Sequence, residues 1–182
     1  MKKEKTNIEG LFIIKYDVFK DSRGYFFESW NKNKFIDINI NIDFLQDNVS
    51  VSKKNVLRGL HFQRNSYSQE KLVQVLKGKV IDVIVDLRKD SKSFKKHEKI
   101  ILKENDNKMI LIPKGCAHGF ISLEDQTIFS YKCSNYYNKN YDVTLNWNDQ
   151  DIGIDWNIEN PIISEKDQNG LSFKELIEKK YI

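Results

Sequence analysis

The stretch VLRGLHFQ, Val56 to Gln63, has the apolar content of a β-strand, yet it carries Arg58 and His61 among its hydrophobic residues. Side chains alternate along a strand, so Leu57, Gly59, His61 and Gln63 fall on one side and Arg58, Leu60 and Phe62 on the other. Neither side is apolar throughout. A bulge at Gly59 would resolve the conflict by swinging Arg58 and His61 to the same side. A cation and a titratable ring on one inward face suit a barrel, because a barrel interior can hold a ligand.

Outward from this strand, further strand-like runs recur at short intervals: LFIIKY, GYFFESW, DFLQDNVSV, KLVQVL, VIDVIVDL, HEKIIL, MILIP, HGFISL, TIFSYKC and DVTLNW. KLVQVLKGKVIDVIVDL is expected to be a hairpin turning at Lys77-Gly78-Lys79. In its second arm Ile81, Val83, Val85 and Leu87 share one face, and Asp82 and Asp86 the other. Only NKNKFIDI and the C-terminal LSFKELIEKKYI have helical character, the latter with Leu171, Leu176 and Ile177 as a docking face. Many short strands with regular turns predict an antiparallel sandwich or barrel. No repeat or linker interrupts the pattern, so residues 1–182 are expected to form one all-β domain.

At 182 residues, 40% hydrophobic and 31% charged, the chain has the composition of a globular protein rather than a disordered one. No apolar run approaches the roughly 20 residues of a membrane helix. The N-terminal MKKEKTNIEG has no apolar region behind its charges, so a cytoplasmic location and no membrane association are expected. The net charge of +4 is spread through mixed-sign segments such as KDSKSFKKHEKIILKEND, a solvated face rather than a nucleic-acid stripe. It still suits an anionic small molecule. Cys116 and Cys133 have no CxxC spacing and read as packing groups.

Of three histidines, His97 sits in a charge run and reads as solvated, whereas His61 and His118 sit in glycine-containing strands. GLHFQ and PKGCAHGF resemble the two halves of a cupin signature. Metal-binding cupins usually carry H-x-H in the first half; here Gln63 stands where the second histidine would be, and amide oxygen is a poor partner for a transition metal beside imidazole. The expectation is therefore a metal-free site. His61 is the candidate base, since an ordinary histidine titrates near pH 6.5. Such a base is oriented by a carboxylate, for which Asp82, Asp86 and Asp167 are candidates. Tyr131 is a candidate proton donor, although a core tyrosine is the plainer reading. Lys71 is a charge at the start of an apolar run, and by itself reads as exposed.

Taken in order, DSRGYFFESW, QDNVSVSKKNVLRGLHFQ, QEKLVQVLKGKVIDVIVDLRKDS, IPKGCAHGF, YKC, LNWND and SEKD resemble the dTDP-4-dehydrorhamnose 3,5-epimerases from Leu11 to about Leu171. The resemblance implies a cupin-like jelly-roll barrel of antiparallel strands with a few short peripheral helices. It implies cofactor-independent inversion at C3 and C5 of dTDP-4-keto-6-deoxy-D-glucose, giving dTDP-4-keto-L-rhamnose. By it, His61 is the base, Asp167 its partner, Tyr131 the acid on the opposite face and Lys71 the cation that stabilises the enolate. Arg23, Glu28, Gln46, Asn48, Arg58, His118, Asp142 and Lys166 fall on positions that hold sugar or nucleotide diphosphate. A homodimer with an exchanged N-terminal strand is also implied.

The chain departs from the family pattern in places. Asp142 stands for the usual Glu, Cys116 for an aromatic, and Gln150 for a proline, and RNSYSQEK lacks the prolines of its loop. None of these falls on His61, Asp167 or Tyr131. Inversion at only C3 or C5 of a related nucleotide sugar, a non-catalytic sugar-nucleotide binding module, and a metal-dependent cupin remain alternatives.

Overall fold

The turn at Gly78, φ +82°, sits at a corner of the molecule rather than at the tip of a hairpin. The computed structural model describes all 182 residues. Strands β1 (Lys2–Lys5) and β2 (Phe12–Lys15) lead into a small hairpin of β3 (Phe19–Asp21) and β4 (Gly24–Phe26), followed by helix α1 (Lys32–Asp37). Then come β5 (Gln46–Ser52), β6 (Val56–Gln63), β7 (Lys71–Lys77), β8 (Lys79–Asp86), β9 (His97–Lys103) and β10 (Lys108–Ile112). The chain continues through β11 (Cys116–Ser122), β12 (Thr127–Cys133), β13 (Asp142–Thr144) and β14 (Ile162–Ile163), and closes with α2 (Glu165–Gln168) and α3 (Phe173–Glu178).

Two sheets face each other. The first runs β1-β2-β10-β7-β12-β5 and the second β13-β6-β11-β8-β9, all antiparallel, with β14 added parallel to β6. This is the cupin-like jelly roll that the sequence predicts. The expected β7–β8 hairpin is corrected: β7 pairs with β10 and β12, and β8 with β9 and β11. Apolar residues on opposite parities of β7 and β8 are satisfied either way, and glycine at φ > 0 serves a corner as readily as a hairpin.

Apolar side chains separate into three layers. Val73, Val75 and Phe129 of the first sheet meet Val80, Ile84 and Phe120 of the second inside the barrel. Leu57, Leu60, Phe62, Val83 and Val85 face outward from the second sheet and are covered by the C-terminal segment, including Trp156, Phe173 and Leu176. Ile14, Leu72, Met109 and Leu111 do the same on the first sheet under Phe35 of α1 and Ile40. In α3 the docking residues are thus Phe173 and Leu176, with Leu171 half-buried beside them, while Ile177 is exposed. The capping box of Ser172 and Glu175 starts that helix at Phe173, two residues after the first residue of the expected helical segment. GYFFESW is strand only over Gly24–Phe26. Its hairpin joins neither large sheet, and it exposes Phe19, Tyr25 and Phe26 by more than half. No helix is long and apolar enough to cross a membrane.

Candidate active site

Along β11, His118 and Phe120 are two residues apart, but their partners on β6, His61 and Arg58, are three apart. The extra residue is a bulge at Gly59, whose φ is +125°. A Cβ at position 59 would lie 2.5 Å from the Gly119 Cα and 2.9 Å from the His118 carbonyl oxygen, so two glycines allow the strands to touch there. The bulge resets the alternation. Leu57, Leu60 and Phe62 enter the outer apolar layer, whereas Arg58 and His61 line one cavity at the open end of the barrel.

That cavity, about 230 Å³, takes Arg58, His61 and His118 from the second sheet, Ser50, Lys71 and Tyr131 from the first, and Lys166 and Asp167 from α2. A second cavity of about 210 Å³ adjoins it and shares His61, Lys71, Tyr131 and Lys166. Gln46, Asn48, Gln63, Tyr137 and Asp142 line only the second. The structure therefore brings together ten of the twelve site residues expected from the sequence. Arg23 and Glu28 line neither cavity. Arg23 pairs with Asp21 on the exposed hairpin, and Glu28 with Lys34 and Asn31.

Each histidine of the first cavity has its own carboxylate. His61 Nε2 lies 2.6 Å from Asp167 Oδ1, and the Gly59 amide donates to Asp167 Oδ2 at 3.1 Å. Ser164 caps α2 and fixes Asp167 in its first turn. Burial alone would raise the Asp167 pKa. The hydrogen bond and charge of His61, the Gly59 amide and Lys166 outweigh it and hold the carboxyl below its usual range. Of the other carboxylates considered for His61, Asp82 instead faces His118 Nε2 at 2.7 Å, and Asp86 is taken by Arg88. His61 and His118 are themselves cross-strand partners.

Across the cavity, Lys71 and Tyr131 come from the facing sheet. Lys71 sits on an inward position of β7, in line with Val73 and Val75, and its Nζ donates to the His61 carbonyl at 3.3 Å. Desolvation pulls the Lys71 pKa below that of a free lysine, opposed by Cys133, Asp142 and Asp82. Tyr131 packs on the barrel core, and burial raises its pKa, so it keeps its proton at neutral pH. Gln63 donates to the carbonyls of Tyr67 and Tyr136 and accepts from the Asn138 amide, which ties two loops beside the second cavity. No three His, Cys, Asp or Glu side chains gather as a metal-binding group. Sequence reasoning missed Ser50 and Tyr137, and it did not assign Asp82 to His118. The parity of β8, with Asp82 opposite its apolar face, was the available signal.

Fold and cavity define the class: a cupin-like barrel whose cavity is lined by ionisable side chains. Within that class the match is specific, and the chain belongs to the dTDP-4-dehydrorhamnose 3,5-epimerase family, whose sequence model matches residues 5–175. It is 46% identical over 180 residues to the enzyme of that name from Escherichia coli, covering 98% of this chain and 97% of the relative. Its fold is similar to that of the Elizabethkingia anophelis enzyme, with a TM-score of 0.90, 45% identity and coverage of 96% and 97% of the two chains. The Legionella pneumophila epimerase, solved in complex with dTDP-4-keto-L-rhamnose, matches with a TM-score of 0.92 and 37% identity, covering 100% of this chain and 96% of that one.

Proposed function

We propose that this chain inverts C3 and C5 of dTDP-4-keto-6-deoxy-D-glucose to give dTDP-4-keto-L-rhamnose, by proton transfer without a cofactor. The observation that carries this is the opposition of His61 on one sheet, paired with Asp167 of α2, to Lys71 and Tyr131 on the other sheet, around one cavity. With Nε2 hydrogen-bonded to Asp167, His61 is left with Nδ1 to take a proton from the carbon next to the ketone. The C–H electron pair moves into a C=C bond, and the carbonyl pair moves to the C4 oxygen. Lys71 stabilises that enolate oxygen, a role favoured by a site shielded from water. Tyr131 then gives its proton to the opposite face of the carbon, which inverts the centre. Solvent returns a proton to the phenolate and takes one from His61. A positioned base of this kind contributes on the order of 10²–10⁴-fold.

The second cavity, with Gln46, Asn48, Tyr137, Asp142 and Lys166, takes the nucleotide end, and Arg58 a phosphate. Arg23 and Glu28 complete the site from a second copy of the chain, by exchange of the β3–β4 hairpin in a homodimer. Support comes from the exposed aromatic residues of that hairpin and from Val49 and Val51, exposed on edge strand β5. A single domain and a cytoplasmic location suit an enzyme of nucleotide sugars. Incubation with the 4-keto sugar nucleotide in D₂O tests the reading. Deuterium is expected at both C3 and C5 of the product; label at one carbon only would make the enzyme a mono-epimerase, and none would overturn the reading.

A further inference from the structure

Asp82 is fully enclosed, and its only hydrogen bond joins Oδ1 to His118 Nε2; Oδ2 has no partner. A carboxylate held so sparingly is a poor stabilising group, since burying a charge with few hydrogen bonds costs free energy. Its position is more informative. Asp82 on β8 and His118 on β11 are diagonal neighbours, and His118 is in turn the direct partner of His61 on β6. The result is a file across the sheet, Asp82, His118, His61 and Asp167, with a carboxylate at each end and the two rings between. Both rings give Nε2 to a carboxylate, and neither Nδ1 has a protein partner.

We propose that Asp82 is a positioning residue that holds His118 in the Nε2–H tautomer, so that Nδ1 accepts a hydrogen bond from a sugar hydroxyl beside the reacting carbon. This inference rests on the epimerase reading above. The carboxylate accepts from Nε2–H, which leaves a lone pair on Nδ1 as the ring's free hydrogen-bonding position. The groups facing His118 keep the ring neutral: burial, the Lys71 charge and His61 all disfavour a second proton and outweigh Asp82. A neutral ring of this tautomer selects a hydroxyl donor at that position of the sugar.

Two experiments on the full-length protein test the proposal. The ¹⁵N spectrum of wild-type His118 at pH 7.5 is expected to show Nδ1 unprotonated; a protonated Nδ1 overturns the proposal, whatever any variant does. Asp82→Asn keeps the shape but removes the charge, and its amide can donate to Nε2 and flip the tautomer. Its kcat is expected to fall roughly 10- to 100-fold, by analogy with the loss of a carboxylate that orients a metal-ligating histidine. Binding of dTDP alone, which lacks the sugar, stays within about twofold, and Tm is unchanged or higher. A merely structural residue would lose stability and activity together. Wild-type kcat in Asp82→Asn would sink the proposal. Should the wild-type enzyme itself fail to epimerise, the fault lies in the functional reading instead.

Discussion

At Gly59 a missing side chain sets the chemistry of the cavity. Its backbone, at φ +125°, and the close approach of Gly119 leave no room for a Cβ. Gly59→Ala is expected to lower the unfolding free energy by roughly 2–3 kcal/mol, measured by urea denaturation, and to cut activity by disturbing His61. A variant as stable and active as wild type would mean that the strands can part without consequence. For the proposed proton transfer, His61→Asn is expected to abolish both epimerisation and deuterium exchange while dTDP still binds. Tyr131→Phe keeps the packing and removes the donor, so exchange continues and inversion slows by roughly 10²-fold or more. Inversion at the wild-type rate in Tyr131→Phe would assign the second proton to another donor, such as water. Arg58 and His61 betrayed the bulge in the sequence, because a cation and an imidazole three apart in an apolar run cannot otherwise share a face. Pairing His61 with Asp167 was not legible from the residues alone. The two are 106 positions apart, and three carboxylates competed until the family resemblance separated them.

Between β8 and β9 the chain makes a loop that is held from within. Arg88 reaches Asp86 at 2.8 Å through Nε and again at 2.8 Å through a terminal nitrogen, while Ser91 and Ser93 donate to the same carboxylate at 2.6 and 2.7 Å. Arg88 and Ser93 also bond the backbone at Glu9, so the loop is fastened to the segment before β2. Burial works against the Asp86 charge, but these donors outweigh it and lower its pKa to about 2. The folded-state value lies below the unfolded one, so the contribution is complete above about pH 4 and is lost as pH falls toward 2. At 1.36 kcal/mol per pKa unit it amounts to about 2 kcal/mol. Asp86→Asn is accordingly expected to lose about that much at pH 7, with the gap from wild type closing near pH 2 in unfolding titrations. A gap that does not depend on pH would show that shape rather than charge holds the loop. At this scale most strands were legible from period-two alternation, and both longer helices from their spacing. The Gly78 corner was not, because hairpin and corner use the same turn chemistry. Strands β1, all charged, and β14, two residues long, carry no apolar pattern to read.

For the whole molecule, the uncovered hairpin and the apolar edge of β5 predict assembly. Light scattering at micromolar concentration is expected to give twice the chain mass, and Phe26→Ser to shift the population toward monomer. Arg23→Ala should raise KM for the nucleotide sugar with little change in kcat, because in the proposed dimer it grips a non-reacting part of the substrate. A monomer of full activity would contradict both expectations. The bulge in β6 has a consequence at this scale as well. The strand is a partition between two compartments, one oily and one ionic, and its extra residue decides which side chain is delivered to which. Removing a single residue there would exchange the contents, sending Leu60 and Phe62 among the ions and His61 and Gln63 into oil. Surface loops of this barrel can change length freely, but the count of residues across this wall is fixed.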